Sequence, residues 1–458
     1  MGAASSTRAA SCARVACSAL LACGALACGE QVDAGAALQA EALEEALYGG
    51  QLAKRSDSAH GRDHHGTFRH RGRHHHRRHR APEEPTPAAC DDTLSLQGIA
   101  GGDGEWQIGT AAPALANTGA LAFVATDATG APHLLQAAGG PLATVSLEEE
   151  GLELPVRVTL DDDGNMAFVA ATPSSADLLG VFSTDADGSS VVVHYAAEEG
   201  GGLGDGGSVI TGRPLALALN GTLAFSSIRN GSGALYRGDV SGSVESLRSG
   251  SGAFFNQQDL DVNATGTVAM QMEHNGCGLQ RGVLLFDEPE TEIADIDKAI
   301  AGLSVGQQPE VAINDAGIIA FALPGTAKTV QALRCPVGEP AERFDVTIGV
   351  YTASRTPLSD LPDLALIADN SGAFASFGSV DIDAEGRVVF EAELAAGGRG
   401  IFQGPDPVAD KIVAVGDELD GEVVTEVQLG QLNDACQLSF ATNGASGRRV
   451  WRADGISE

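Results

Sequence analysis

A nine-residue pattern that recurs seven times limits the fold of this chain more than any other feature. The pattern has an apolar residue, Asn or Asp, two further residues, Gly, two more residues, and then Ala and Phe. Successive copies end 45 to 69 residues apart, and repeats of about 40–50 residues are typical of four-stranded propeller blades. The copies are LANTGALAF ending at Phe123, LDDDGNMAF at Phe168, LALNGTLAF at Phe225, VNATGTVAM at Met270, INDAGIIAF at Phe321, IDAEGRVVF at Phe390 and LNDACQLSF at Phe440.

The pattern predicts a tight turn followed by a strand that is buried on both sides. Asn or Asp bonds its own backbone in such turns, and Gly adopts a positive φ without steric cost. The residues after the Gly are apolar at successive positions, and a strand has this composition when both of its faces are covered. Sheets stacked around an axis meet that requirement. The 59 glycines and the 5% aromatic content also favour an all-β chain rich in turns.

Further short apolar strands follow each copy, which gives four strands per unit. The last unit has no outer strand, because the chain ends soon after RVWRAD (449–454). The segment at 93–100 aligns with the outer strand KIVA of the preceding unit. We therefore predict an all-β, seven-bladed β-propeller over residues 90–458, with residues 93–100 supplying the outer strand of blade 7. This closure removes an open sheet edge.

Residues 1–28 have the pattern of an export signal. Arg8 and Arg14 precede a short apolar run that ends in small residues and Cys. Leu20-Leu21-Ala22-Cys23 resembles a bacterial lipobox, so Cys23 is the predicted lipidation site, with Cys28 as the alternative. Cleavage after Ala27, which releases a secreted protein, is the other interpretation. The predicted location is an outer-membrane or cell-surface lipoprotein, or alternatively the periplasm or the medium.

Residues 29–89 are predicted to be a disordered tether, Ala/Glu-rich at first and His/Arg-rich after that. The second part has almost no hydrophobic residues, so it cannot form a core. Clustered imidazoles bind transition metals, which makes His74, His75 and His76 weak metal candidates. The tract has no fixed ligand spacing, and a solvated basic tether is the preferred interpretation.

The charge distribution argues against partners that carry a dense negative charge. The net charge is −33, and it falls on the body of the chain, because residues 1–90 hold nearly equal numbers of basic and acidic side chains. So acidic a body repels nucleic acid and anionic membrane surfaces. Contact with a membrane is therefore predicted through a lipid anchor alone, and the propeller is predicted to be a monomer.

The repeat resembles the exported bacterial proteins named after the Asn-x-x-Gly-x-x-Ala-Phe motif, which use varied surface anchors. INDAGIIAF matches the motif fully, whereas Ala116, Ala218, Met270 and Cys436 replace motif residues in other copies. DDDGNMAFVA with GVFSTDADGSS is also similar to the repeats of TolB-like propellers. Both resemblances imply a propeller outside the cytoplasm, and neither implies an activity.

Four cysteines in the body are disulfide candidates if the protein is exported. Cys90 precedes the closing strand and Cys436 occupies the Gly position of the last repeat, so a Cys90–Cys436 bond would close the ring covalently. Cys277 and Cys335 both follow the second strand of neighbouring blades, which predicts a second bond between them. Free thiols or other pairings remain open.

Two acidic turns resemble calcium loops. Asp381, Asp383 and Glu385 precede Gly386, and Asp185-x-Asp187-Gly188 is similar. The first coincides with the repeat turn, and the bidentate Glu of an EF-hand is absent at its expected distance. Turn chemistry therefore explains these residues without a metal, and no cofactor is predicted.

The sequence contains no catalytic motif of the common hydrolase or phosphate-binding types. Outside the tether, the histidines are His133, His194 and His274, and the tryptophans are Trp106 and Trp451. We expect a non-enzymatic, anchored scaffold that binds a protein or glycan partner through its loops, the longest of which fall near 171–215 and 322–380. A hydrolase or lyase acting on polysaccharide and a structural envelope component are the alternatives.

Overall fold

The structure is a computed structural model. It describes residues 93–101, 105–138, 141–147, 152, 155–172, 175–186, 188, 191–195, 215–229, 232–251, 259–275, 279–288, 291–295, 310–323, 325–334, 342–354 and 364–456. These residues form β-strands and turns, and among them no helix has the length and hydropathy needed to cross a bilayer.

The seven copies of the repeat form the same turn. In each one the backbone N–H at the Gly position donates to the carbonyl oxygen at the Asn position, at 2.9–3.2 Å. The residues at the Gly position all have φ between 62° and 89°. These residues are Gly119, Gly164, Gly221, Gly266, Gly317, Gly386 and Cys436. The predicted turn is confirmed, and Cys436 adopts the left-handed backbone that Gly adopts elsewhere.

The strands group into antiparallel sheets, numbered here in chain order of their repeat. The first strand is β1 (Ser95–Ala100). Sheet 1 contains β2 (Gln107–Ile108), β3 (Ala114–Leu115), β4 (Leu121–Thr126), β5 (Pro132–Ala137) and β6 (Ala143–Ser146). Sheet 2 contains β7 (Arg157–Leu160), β8 (Met166–Thr172), β9 (Ser175–Thr184) and β10 (Val191–Tyr195). Sheet 3 contains β11 (Leu215–Leu217), β12 (Thr222–Arg229), β13 (Ser232–Asp239) and β14 (Val244–Ser251).

Sheet 4 contains β15 (Asp259–Val262), β16 (Val268–Asn275), β17 (Leu279–Glu288) and β18 (Thr291–Asp295). The next strands are β19 (Val311–Ile313), β20 (Ile319–Ala322), β21 (Thr329–Arg334), β22 (Glu342–Thr347), β23 (Gly349–Ala353) and β24 (Leu364–Asp369). Of these, β19, β20, β23 and β24 form sheet 5, and β21 pairs with β22 in a separate hairpin inserted between β20 and β23. The long interval near 322–380 thus holds an insertion, as predicted.

Sheet 6 contains β25 (Phe374–Ile382), β26 (Val388–Leu394), β27 (Arg399–Phe402) and β28 (Lys411–Ala414). A small hairpin of β29 (Glu418–Leu419) and β30 (Glu422–Val423) leads to sheet 7, which contains β31 (Glu426–Leu432), β32 (Gln437–Gly444) and β33 (Gly447–Asp454). The N-terminal β1 completes sheet 7 by pairing with β33, with Ser95 opposite Asp454 and Gly98 opposite Trp451. This is the pairing that the sequence predicts.

Each sheet packs on the next in chain order, and sheet 1 contacts sheet 7 through β2, β3, β31 and β33. The arrangement is a β-propeller. In β4, Leu121 and Phe123 belong to a core that includes Val450 of sheet 7, whereas Val124 points the other way into a core with Phe168 of sheet 2. Both faces of the strand are buried, as the repeat predicts.

The prediction of seven four-stranded blades is wrong in that form, because six sheets have four strands and sheet 1 has five. Its innermost strand is broken into β2 and β3, which pair with opposite ends of β4. The intervening segment includes Pro113, which has no N–H for a sheet ladder. Gly109 N still donates to Val124 O at 2.7 Å, so the break is local.

Side-chain amides of the repeat Asn residues connect neighbouring sheets. Asn263 Nδ2 donates to Asn314 O at 3.0 Å, and Asn314 Nδ2 donates to Asp383 O at 2.9 Å. Asn433 Nδ2 donates to Ala116 O at 2.7 Å and joins sheet 7 to sheet 1. Each of these Asn residues also accepts a hydrogen bond at Oδ1 from its own turn, so one side chain both forms the turn and joins two sheets.

Candidate functional site

The innermost strands of the sheets surround a channel along the propeller axis. We call the end where the repeat turns lie the motif face, and the opposite end the loop face. Residues towards the loop-face ends of these strands line a cavity of about 210 Å³. Six sheets line it, and the lining residues are 110–113, 156–158, 260–261, 310–312, 379, 381 and 428–431.

Acidic side chains along the channel bond the exposed backbone of the neighbouring inner strand. Asp259 Oδ2 accepts from Val311 N at 2.7 Å, and Asp261 Oδ2 accepts from Ile313 N at 2.8 Å. An inner strand has a free ladder edge towards the channel, and these carboxylates supply the missing acceptors. They are therefore structural groups of the sheet-to-sheet joints.

The same arrangement recurs at two other joints. Asp381 Oδ2 accepts from Leu432 N at 2.6 Å, and Gln431 Oε1 accepts from Leu115 N at 3.0 Å. In each case the acceptor lies two residues before the Asn position of its repeat. Sequence reasoning missed this role, although the recurrence of Asp261, Asp381 and Gln431 at one repeat position was a visible signal.

The cavity presents Arg157 together with carboxylates at Asp261, Glu310 and Asp381. Its volume is below the roughly 300 Å³ that drug-sized ligands usually need. A cavity of this size and polarity suits a small polar molecule, or a single side chain or sugar unit of a larger partner.

The motif face carries a carboxylate pair joined by Asn117. Asn117 Nδ2 donates to Asp162 Oδ2 at 3.2 Å and to Asp434 Oδ2 at 3.1 Å, while Asn117 N donates to Asp162 Oδ1 at 2.6 Å. Burial raises the pKa of Asp162, and the charge of Asp434 acts in the same direction. Because these bonds connect sheets 7, 1 and 2, the pair has a structural function at the ring closure.

His194 forms the geometry of a nucleophile–base pair with Ser183, with His194 Nε2 at 2.8 Å from Ser183 Oγ. However, Ser183 is 1% exposed and its hydroxyl is 2.7 Å from Val240 O, to which it donates. A substrate cannot reach such a hydroxyl, so this pair is not an active site.

His133 lies near the loop face of sheet 1, and its Nε2 is 3.2 Å from Asp127 Oδ2. The Trp106 ring stands edge-on to the His133 ring, with centroids 5.2 Å apart. A hydrogen bond from the Thr129 hydroxyl is the main cause that lowers the pKa of Asp127. The side chain of His274 lies outside the described residues.

Trp451 is a packing residue. It is 2% exposed and stacks on Phe440 with ring centroids 6.3 Å apart. Its indole N–H donates to Thr442 Oγ1 at 2.8 Å.

The turn that resembles a calcium loop is occupied by an arginine. Arg387 Nε donates to Asp383 Oδ2 at 2.5 Å, and Arg387 Nη2 lies 3.0 Å from Glu385 Oε2. Asp381 points instead to sheet 7, as described above. Within the described residues, no three His, Cys, Asp or Glu side chains group as metal ligands do. Asp187 of the second candidate turn is outside the described residues.

Several predicted sites also lie outside the described residues. They are the lipidation candidates Cys23 and Cys28, the histidines His74, His75 and His76, and the cysteines Cys90, Cys277 and Cys335. Cys436 is described: it is 3% exposed and has φ 62°. The two disulfide pairings stay predictions.

Comparison with known proteins gives similarity of structure alone. No family model matches the chain, and no curated protein matches it. A prolyl endopeptidase structure is 12% identical with a TM-score of 0.47, and the match covers 78% of this chain and 51% of that one, so the chain spans about half its length. An oligogalacturonate lyase from Vibrio parahaemolyticus is 11% identical with a TM-score of 0.44, over 80% and 98% of the two chains.

TolB from Acinetobacter baumannii is 12% identical with a TM-score of 0.36, over 81% of this chain and 86% of that one. Similarities at this level carry no information about activity.

Proposed function

We propose that this chain is an exported, non-enzymatic propeller that binds a protein or glycan partner at its loop face. The observation that carries the proposal is the polar cavity of about 210 Å³ that six sheets line together. A site built from many blades is a common position for recognition, because segments from every sheet converge there. In this proposal the five-stranded sheet 1 serves as a seventh blade, and residues 1–28 direct export with lipid attachment at Cys23.

The location on the outer membrane or cell surface, and the monomeric state, belong to the same proposal. The acidic body favours partners that are neutral or basic. A hydrolase or lyase acting on polysaccharide through acidic residues of the channel is the second candidate. Asp261 and Asp381 of the channel accept inter-sheet backbone hydrogen bonds, which favours the binding function. A purely structural role predicts that no soluble partner binds.

A binding screen with the full chain against envelope glycans and envelope proteins tests the proposal. Thr110→Trp places a bulky ring at an exposed position of the cavity wall and should abolish binding. Val408→Trp is the matched control, because Val408 is 83% exposed on a turn at the motif face. Equal loss of binding in both variants, or no ligand in the screen, would contradict binding at the cavity.

A further inference from the structure

The joint between sheets 2 and 3 is one of four that lack the inner-strand side-chain hydrogen bond of the other three joints. Sheets 1, 3 and 5 have Ala114, Ala216 and Ala312 at the position that would supply it. Asp261, Asp381 and Gln431 each accept a backbone N–H from the next sheet. The equivalent residue of sheet 2 is Thr159, whose side chain is too short to reach across. Thr159 is 0% exposed, and its Oγ1 has no hydrogen-bond partner.

Further from the axis, a histidine takes part in a hydrogen-bonded chain across the same joint. Ser183 Oγ on β9 donates to Val240 O on the β13–β14 turn of sheet 3, at 2.7 Å. His194 Nε2 on β10 lies 2.8 Å from Ser183 Oγ. A serine hydroxyl has one proton, and here Val240 O receives it. His194 must therefore donate its Nε2–H to Ser183, which assigns it the neutral Nε2–H tautomer.

The other ring nitrogen of His194 is buried without a partner. Nδ1 makes no hydrogen bond, so its lone pair faces protein atoms and not water. The β13–β14 turn of sheet 3 also carries Asp239, whose negative charge acts to raise the pKa of His194. Asp239 Oδ1 already accepts hydrogen bonds from Ser241 N and Ser243 N. A second proton on the ring would place a buried charge and an unpaired N–H at the joint.

We propose that His194 is an acid-sensitive latch, and that its protonation opens the joint between sheets 2 and 3 while the rest of the propeller stays folded. Burial lowers the pKa of His194, with Asp239 opposing that effect. The closed joint therefore excludes a proton that the open joint binds. It becomes less stable as the pH falls below about 6.5, the ordinary imidazole value.

Hydrogen exchange measured by mass spectrometry on the full chain, from about pH 7.5 to about pH 5, tests the latch. After correction for intrinsic exchange rates, peptides covering 181–184 and 235–240 should lose protection in acid, while those covering 438–443 keep it. In His194→Gln, whose amide N–H can still donate to Ser183, the acid-dependent loss should disappear. Equal acid sensitivity in both proteins, or a uniform loss along the chain, would overturn the proposal.

A second measurement keeps the proposal testable if His194→Gln does not fold. Titration of the wild-type chain by NMR should give His194 a pKa below the ordinary imidazole value, with the Nε2–H tautomer at neutral pH. Ser183→Ala removes the bridging hydroxyl and identifies the His194 signal by its shift. A His194 pKa at or above about 6.5 would overturn the proposal.

Discussion

The side-chain amide of Asn433 donates a hydrogen bond of 2.7 Å to the carbonyl oxygen of Ala116, which lies 317 residues earlier in the chain. Asn433 is 1% exposed and also accepts from Ala435 N and Gln437 N in its own turn. One side chain thus holds the last repeat turn in shape and joins it to the first. The repeat Asn is therefore a residue of the sheet-to-sheet joints as well as a turn residue.

Asn433→Ala should lower the free energy of unfolding by about 2–4 kcal/mol, because several buried backbone groups lose their partner together. Urea denaturation followed by tryptophan fluorescence measures the change. Asn220→Ala is the control, because Asn220, two residues after the Asn position of its repeat, also donates to a carbonyl of the next sheet, Ala264 O, but from an exposed position. Asn220→Ala should lower the free energy of unfolding by less than about 1 kcal/mol. An equal loss of unfolding free energy in the two variants would show that burial does not strengthen the joint.

Cys436 should form a disulfide with Cys90 that closes the ring covalently. The backbone supports this pairing: Gln437 lies opposite Asp454, and Asp454 lies opposite Ser95, so β1 begins two strands away from Cys436. Five residues of extended chain, at about 3.3 Å each, cover that distance. A non-reducing digest should yield the Cys90–Cys436 peptide, and recovery of both as free thiols would disprove the bond.

The stability of Cys436→Gly separates the disulfide from the backbone conformation. Gly accepts φ 62° without the roughly 1 kcal/mol that other residues incur. Under reducing conditions this variant should therefore be at least as stable as the wild type. Under oxidising conditions the wild type should be more stable by about 3–4 kcal/mol, because a disulfide closing a long loop contributes about 4–5 kcal/mol. Identical behaviour with and without reductant would argue against the bond.

Asp161→Asn should stabilise the protein at neutral pH by about 1 kcal/mol, the usual contribution of one hydrogen bond. Asp161 occupies the repeat Asn position, where Asn263, Asn314 and Asn433 donate to the next sheet and Asp cannot. It is 1% exposed, and burial raises its pKa against the hydrogen bonds from Asn165.

The sign of the pH dependence follows from that shift. The ionised form of Asp161 is disfavoured in the folded chain, so the wild type is penalised above the raised pKa and relieved as the pH falls through it. The advantage of Asp161→Asn should shrink in acid. Asp163→Asn, at an exposed position of the same turn, should change the free energy of unfolding by less than about 0.5 kcal/mol at any pH. A constant advantage across pH would mean that ionisation of Asp161 is not the cause.

Thr159→Val and Thr442→Val should change stability in opposite directions. Thr159 Oγ1 is buried without a partner, so a methyl group in its place removes a desolvation penalty and should add about 1–2 kcal/mol. Thr442 Oγ1 accepts from the Trp451 indole N–H at 2.8 Å, and removal of this hydroxyl should lower the free energy of unfolding by about 1–3 kcal/mol. Thermal unfolding of the two variants checks both signs. Destabilisation by Thr159→Val would indicate that the hydroxyl has a partner.

The sequence alone determined the local structure and the order of the sheets. The Asn-x-x-Gly turn and the doubly apolar strand after it depend on backbone sterics and on the two-residue period of a strand, and both can be recognised within nine residues. The pairing of residues 93–100 with the last repeat also followed from the sequence, because an unpaired sheet edge needs a partner.

Tertiary structure alone decided which polar groups meet. The contacts of His194 with Ser183, and of Ser183 with Val240, join different strands and repeats, so no local pattern specifies them. The cavity near the loop face arises in the same way, because the inner strands that line it come from six sheets far apart in the chain. Packing determines the distances between groups that are far apart in the chain. The sequence shows only which groups are present.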